Sequence, residues 1–349
     1  MSSLKVFKKY LLLSFLLLPS TTYSMFNYLT LPSRVFSSLG VLLPIPLTFY
    51  VERSIIREYT HPSPKATNFV REALSKETAE LREIPIKLHP KQSLCPAYAG
   101  HGNILLAQHP CLSPIQLALN EVNPELFSSN DALARIKAGL ETDDCSCKDI
   151  RSVLDSFTLL DIETIVQLRN FVDRQCNQND EFQDIRNKID QAITTYRAII
   201  QHEAGHIKHS KEATAVVILA PILSSLVVSC GLYYLHVTNP GSCWDCLATL
   251  VGSLYLDRFN PLPFLYKRFA EFRADDNIEN NPKTLRGFQS HLQKLLVYET
   301  LKDNLNALQG KKTWLRFLQS WKNTHPTSKS RIERIDKRLA HLESSNKIS

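Results

Sequence analysis

Ile199-Ile200-Gln201-His202-Glu203-Ala204-Gly205-His206-Ile207-Lys208-His209 is the stretch on which the reading of this chain turns. On a helix, positions four apart share a face, so His202 and His206 can offer two imidazoles to one metal ion while Glu203 stands beside the open coordination position. The chemistry explains the spacing. A zinc ion held by three protein ligands keeps a water in its fourth place and lowers that water's pKa to about 7. A neighbouring carboxylate can then take its proton as the water attacks a peptide carbonyl. The plain alternative for so short a motif is two histidines and a glutamate that fell together on a polar helix face.

Context favours the metal. Ile185, Ile189, Ile193, Tyr196 and Ile200 recur every three or four residues, which predicts a helix over Glu181–His209 with one apolar stripe running into the motif. Gly205 costs some helicity but permits close approach of another backbone or of the metal site. A third ligand should come from another element. In Arg268-Phe269-Ala270-Glu271-Phe272-Arg273-Ala274-Asp275-Asp276, Glu271 and Asp275 are again four apart, so one can coordinate while the other orients a ligand histidine. Without the histidine motif the same residues would read as a solvated charged face.

These stretches, followed by Thr324-His325-Pro326 and Arg331-Ile332, resemble metallopeptidase family forty-eight, which includes the HtpX-like bacterial membrane proteases and the CAAX prenyl proteases. Three ordered motifs are far more specific than one. The resemblance implies zinc ligands His202, His206 and Glu271, general base Glu203, and Asp275 as the residue that orients a ligand. It further implies that His325 helps stabilise the tetrahedral intermediate and that Arg331 braces the region. Read without the family, His325 and Pro326 stand at the entry to a helix carrying Ile332, Ile335, Leu339 and Leu342.

At 349 residues and 44% hydrophobic composition, the chain can bury a substantial core. Its net charge of +7 is scattered rather than gathered with aromatics, so it reflects solubility or nearness to anionic lipid rather than a nucleic-acid footprint. Residues 1–24 read as a signal peptide or N-terminal anchor: Lys5, Lys8 and Lys9 precede an apolar run, and Thr22-Tyr23-Ser24 precede a candidate cleavage point. Residues 25–62 form an apolar, membrane-proximal segment in which Val35–Val51 just reaches spanning length, although Pro44 and Pro46 disturb it. Residues 63–349 read as the metalloprotease domain.

Within that domain a helix is expected around Lys65–Leu81, then strands at Ile84–Leu88, Pro96–Ala99 and Asn103–Ala107, the last two forming a hairpin over Gly100-His101-Gly102. The family uses the edge strand of such a sheet to pair with extended substrate. The resemblance therefore makes Ala97, Tyr98 and Ala99 the substrate strand, with Pro96 standing where asparagine is common. His101, between glycines, is a turn residue before it is a ligand. Residues 112–180 read as a helical insert, with Ser152–Phe171 a single helix whose face carries Val153, Phe157, Leu160, Leu168 and Phe171 and one polar member, Thr164. Covering core is the preferred role of this insert, and a lid or partner surface the alternative.

Residues 213–256 read as an apolar helical hairpin, Ala213–Leu235 and Leu247–Leu256. Because Glu271 must meet the same ion as His202 and His206, the chain between them crosses a membrane an even number of times. Asp257 and Arg258 disfavour a second full span, so a hairpin packed over the site or dipping into one leaflet is preferred to a pair of spans. The eight cysteines admit disulfides involving Cys95, Cys111, Cys145, Cys147, Cys176, Cys243 or Cys246 if the domain is exported, while the spacing of Cys145 and Cys147 is unlike that of common structural zinc sites.

The expected fold is thus mainly α with a small β-sheet, a gluzincin-type (zincin) domain with an apolar helical hairpin. The expected function is that of a zinc metalloendopeptidase, one Zn²⁺ per chain, acting on membrane or cell-envelope proteins and located there itself. Protein or peptide is the expected substrate, with membrane contact and no nucleic acid. A non-catalytic, zinc-stabilised or chaperone-like envelope protein is the alternative, and a helical adaptor with an accidental motif the third reading.

Overall fold

The computed structural model describes residues 59–89, 95–100, 102–108, 131–155, 160–176, 181–210, 261–308 and 326–345, with single positions at 56, 212 and 215. The leader, the apolar segment before residue 59, nearly all of the hairpin at 213–256, and His101, Phe157 and His325 lie outside these residues. Among the described residues, no helix is long and apolar enough to cross a membrane. The chain divides into two compact units, Met1–Glu58 with Thr214–Pro263, and Tyr59–Ala213 with Phe264–Ser349. The second carries the described fold.

It is mostly helical with one three-stranded sheet. Helices α1 (Pro64–Ala73) and α2 (Ala79–Arg82) lead into strands β1 (Ile86–His89), β2 (Ala97–Gly100) and β3 (Asn103–Ala107). Then follow α3 (Asp131–Thr142), α4 (Cys147–Asp155), α5 (Ile162–Gln175), α6 (Glu181–Lys208), α7 (Pro261–Asp276), α8 (Pro282–Leu308) and α9 (Ser328–Ser345). The helix expected over Lys65–Leu81 is two pieces, because the chain leaves α1 at Leu74 and restarts at the cap residue Thr78.

The sheet order is β1-β3-β2, with β1 parallel and β2 antiparallel to the central β3. Ile104, Leu105, Leu106 and Ala107 are all buried, as a continuous apolar run in a strand covered on both faces should be. Strand β2 pairs Ala97 with Leu106 and Ala99 with Ile104, and Pro96 O accepts from Ala107 N at 2.9 Å. Antiparallel pairs alternate between exchanging and not exchanging hydrogen bonds, so the backbone groups of Ala97 and Ala99 face away from β3.

Helix α6 is the axis of the unit. Its apolar stripe, Ile185, Ile189, Ile193, Tyr196 and Ile200, is buried along its whole length, each such side chain contributing about 1.5–3 kcal/mol over an exposed one. Towards its end every residue from Ala198 to Gly205 is buried, because the sheet, α1, α5 and α8 pack around it. Helix α8 crosses α6 at Gly287, where an added Cβ would stand 3.0 Å from Thr195 N and where Thr195 Oγ1 donates to Gly287 O at 3.2 Å.

The stretch expected as a single helix at Ser152–Phe171 is α4 and α5, separated at Leu160 and Asp161. Asp161 caps α5: its carboxylate accepts from Thr164 N and Thr164 Oγ1, both at 2.8 Å, so the one polar member of the stripe is buried with its partner. Val153, Leu160, Leu168 and Phe171 still enter the same core. The described part of the insert therefore covers core. None of Cys95, Cys145, Cys147 and Cys176 is in a disulfide.

Candidate metal centre

Four helices and one strand converge on the histidine motif. Helix α6 ends in it, and the turn before its end is clamped through Gln201. Gln201 Nε2 donates to Ala73 O at 3.2 Å, its Oε1 accepts from Glu279 N at 3.1 Å, and its backbone O accepts from Asn277 Nδ2 at 2.9 Å. Helix α7 reaches the motif because Gly205 lets it: an added Cβ there would lie 2.8 Å from Ala274 Cα and 3.2 Å from Ala274 O. That approach places Glu271, one turn earlier on α7, against both histidines.

Three donor groups meet. His202 Nε2 and His206 Nε2 are 3.1 Å apart, Glu271 Oε2 is 3.4 Å from His202 Nε2, and Glu271 Oε1 is 3.3 Å from His206 Nε2. A tetrahedral ion with bonds of about 2.0–2.1 Å has ligand-to-ligand edges of about 3.3–3.4 Å. The donor set fits one such ion, and it is a group of His and carboxylate residues able to hold a metal. Two imidazole lone pairs at this distance repel each other unless a proton or a cation lies between them.

The surroundings orient this set. His202 Nδ1 lies 2.9 Å from Asp275 Oδ1, which is wholly buried; a ring that gives its Nδ1 proton to a carboxylate presents Nε2 as a lone pair. Arg331, from α9, closes a fork on the same carboxylate, Nε to Oδ2 at 2.9 Å and Nη2 to Oδ1 at 2.6 Å, and its Nη1 is 3.1 Å from Glu271 Oε2. Its guanidinium also stands 5.5 Å from the Phe288 ring centroid, and Phe288 packs on the His202 ring at 5.3 Å. Helix α9 is anchored where it must be: Arg338 donates to Asp275 O and Ile278 O at 2.6 and 2.8 Å, filling the carbonyl end of α7.

Charge at the site follows from these contacts. Burial lowers the His202 pKa, but Asp275 and Glu271 outweigh it and carry it to about 9 without a metal. Burial also works against the Asp275 carboxylate, yet His202 and Arg331 hold it below the ordinary range. Arg331 is opposed by burial and held charged by Asp275 and Glu271. Glu203 is raised by burial, tempered by the two histidines and by Ala99, whose N–H donates to Glu203 Oε2 at 2.6 Å. One oxygen of the candidate base is thereby fixed by the edge strand, and Oε1 is left to take a proton.

Residues 189–339 match the family model of peptidase family M48. This segment is a peptidase family M48 domain. Its boundaries take in α6 from Ile189 to the histidine motif, α7, α8 and most of α9, while the sheet that supplies Ala99 precedes the match. No curated protein and no solved structure matches the chain.

The M48 domain brings together His202, Glu203, His206, Glu271, Asp275 and Arg331; Ala97, Tyr98 and Ala99 lie on β2 beside them, and His325 lies outside the described residues. Three participants escape the sequence reading: Phe288 beneath His202, the Ala99 N–H on Glu203, and a buried His291 whose Nε2 meets Cys95 Sγ at 3.5 Å. His291 does leave a trace, since it interrupts the buried run Leu285, Phe288 and Leu292 on α8. Cys95 leaves none.

Proposed function

We propose that the chain is a zinc-dependent metalloendopeptidase, one ion per chain, that hydrolyses peptide bonds of membrane or cell-envelope proteins in the setting of protein quality control. The observation that carries the reading is the meeting of His202 Nε2, His206 Nε2 and the Glu271 carboxylate at separations of 3.1–3.4 Å, which suit one tetrahedral ion, with the buried Glu203 carboxylate adjoining them. Zinc in that place supplies a Lewis acid for the carbonyl and a water acidified to about pKa 7.

The protein's own residues do the rest. Glu203, one oxygen held by Ala99, takes a proton on the other and hands it to the departing amine. Asp275 and Arg331 keep His202 aimed and balance the buried charge. Strand β2 has β3 on one side, and the outward Ala97 N–H and C=O and Ala99 C=O suit an added strand of substrate, the Ala99 N–H being held by Glu203. His325 is proposed as oxyanion donor on the motif alone. The leader-like residues 1–24 and the apolar segments support a location in the membrane or cell envelope.

Casein cleavage by the detergent-solubilised full chain tests the reading. Wild type is expected to cut and Glu203→Gln to keep its zinc without cutting. Undiminished cleavage by Glu203→Gln would remove the proposed mechanism.

A further inference from the structure

Helix α8 touches the site twice. Phe288 supports the His202 ring, and one turn further His291 reaches across to Cys95, two residues before β2. His291 is 4% exposed. Burial pushes the Cys95 thiol up to about 12 and the His291 imidazole down to about 3, so both are neutral. Either the thiol donates to Nε2 or Nε2–H donates to Sγ, according to the tautomer. Nδ1 has no hydrogen-bond partner among the described residues. Leaving a polar ring nitrogen buried in that way, as donor or as acceptor, costs stability that leucine or phenylalanine, the neighbours on this stripe, would not. A core role for the ring is therefore the poorer account, and what its Nε2 holds is the better one.

What it holds is the entry to the edge strand. Strand β2 is paired on one side by β3 and tied to α6 at Ala99 through Glu203. Cys95 supplies the tie at its other end, to the helix that also backs His202. We propose that His291 is a positioning residue that pins β2, through Cys95, at a fixed height above the metal-binding histidines, so that an extended polypeptide added to β2 lies with one peptide bond over the site. The inference rests on the peptidase reading for its substrate, and on geometry alone for the pinning.

The test compares full-length wild type with His291→Phe, Cys95→Ala and Cys95→Ser, using an extended peptide and a blocked dipeptide too short to pair along β2. Zinc content and deuterium exchange of residues 95–100 are measured on the same samples. In His291→Phe and Cys95→Ala, the ratio of kcat/KM for the extended over the short substrate is expected to fall about three- to ten-fold, carried by KM. Exchange across Ala97–Gly100 should quicken while zinc content holds. Cys95→Ser retains a hydroxyl that can donate to or accept from Nε2 and should restore most of the ratio. An unchanged ratio, or an equal fall on both substrates, would overturn the proposal. Should wild type cut neither peptide, the peptidase reading fails separately and exchange decides: quickened exchange keeps the pinning, and wild-type exchange removes it.

Discussion

Replacing Arg331 by methionine keeps the bulk of the side chain against Phe288 and deletes its charge. The structure sets the consequence. Three contacts vanish, two to Asp275 at 2.9 and 2.6 Å and one to Glu271 at 3.1 Å, all between groups less than a tenth exposed. Removing one partner of such a buried pair costs about 3–5 kcal/mol, because the other charge is left without compensation. Here two carboxylates are left, with His202, His206 and a metal to offset them. At about 2–4 °C per kcal/mol, the melting temperature of the variant should fall by roughly 6–20 °C. Because Asp275 would lose the group that holds it on His202 Nδ1, zinc affinity should also fall by about 10–100-fold. Arg331→Lys should rescue little, since one ammonium cannot reproduce the fork on Asp275 together with the contact to Glu271. Thermal unfolding with and without chelator, beside a competition titration for zinc, measures both quantities. A loss under about 1 kcal/mol, or a lysine variant equal to wild type, would refute the reasoning.

Gly205→Ala should destabilise by roughly 0–2 kcal/mol: overpacking against Ala274 costs about 1–3 kcal/mol and improved helix propensity returns about 0.8–1.0. A stabilised variant in urea unfolding would contradict the close α6–α7 approach. Asp161→Ala strips α5 of its cap and leaves the buried Thr164 hydroxyl without its acceptor, a loss of about 2 kcal/mol by the same assay. Metal-free protein should be most stable between about pH 4 and 6.5. The His202 contribution is complete below its ordinary 6.5 and fades as pH rises towards about 9, while the Asp275 contribution is present above its ordinary 3.8 and is lost as pH falls through its depressed pKa. Zinc binding runs the other way, since the metal must displace the His202 proton; affinity should climb about ten-fold per pH unit until about pH 9. A pH-independent zinc affinity between 6 and 9 would contradict the contacts assigned to His202.

Much of the site is legible in the sequence because it repeats at the helix period. His202 and His206 four apart, and Glu271 and Asp275 four apart, declare a shared face by their spacing alone. The apolar stripe of α6 is equally plain, and β3 can be read from its uninterrupted Ile104–Ala107 run. The break between α4 and α5 is hidden because Val153, Leu160, Leu168 and Phe171 do enter one core, although from two helices. Asp161 before Ile162, with Thr164 three residues on, is the cap signal that divides them. The partners of Glu203 and Cys95 are out of reach for a different reason. The Ala99 donor is a backbone N–H, which every residue but proline carries, and His291 stands 196 positions from Cys95. Long-range contacts of that kind follow from how the helices pack, and no local pattern records them.

The most direct measurement is X-ray absorption at the zinc edge on zinc-loaded wild type and Glu271→Ala. The account predicts one zinc per wild-type chain bound by two imidazole nitrogens and carboxylate oxygen at about 2.0–2.2 Å, with no sulfur in the shell, and loss of the metal in Glu271→Ala. Thiolate sulfur at about 2.3 Å, or full zinc occupancy without Glu271, would contradict the His202, His206 and Glu271 site.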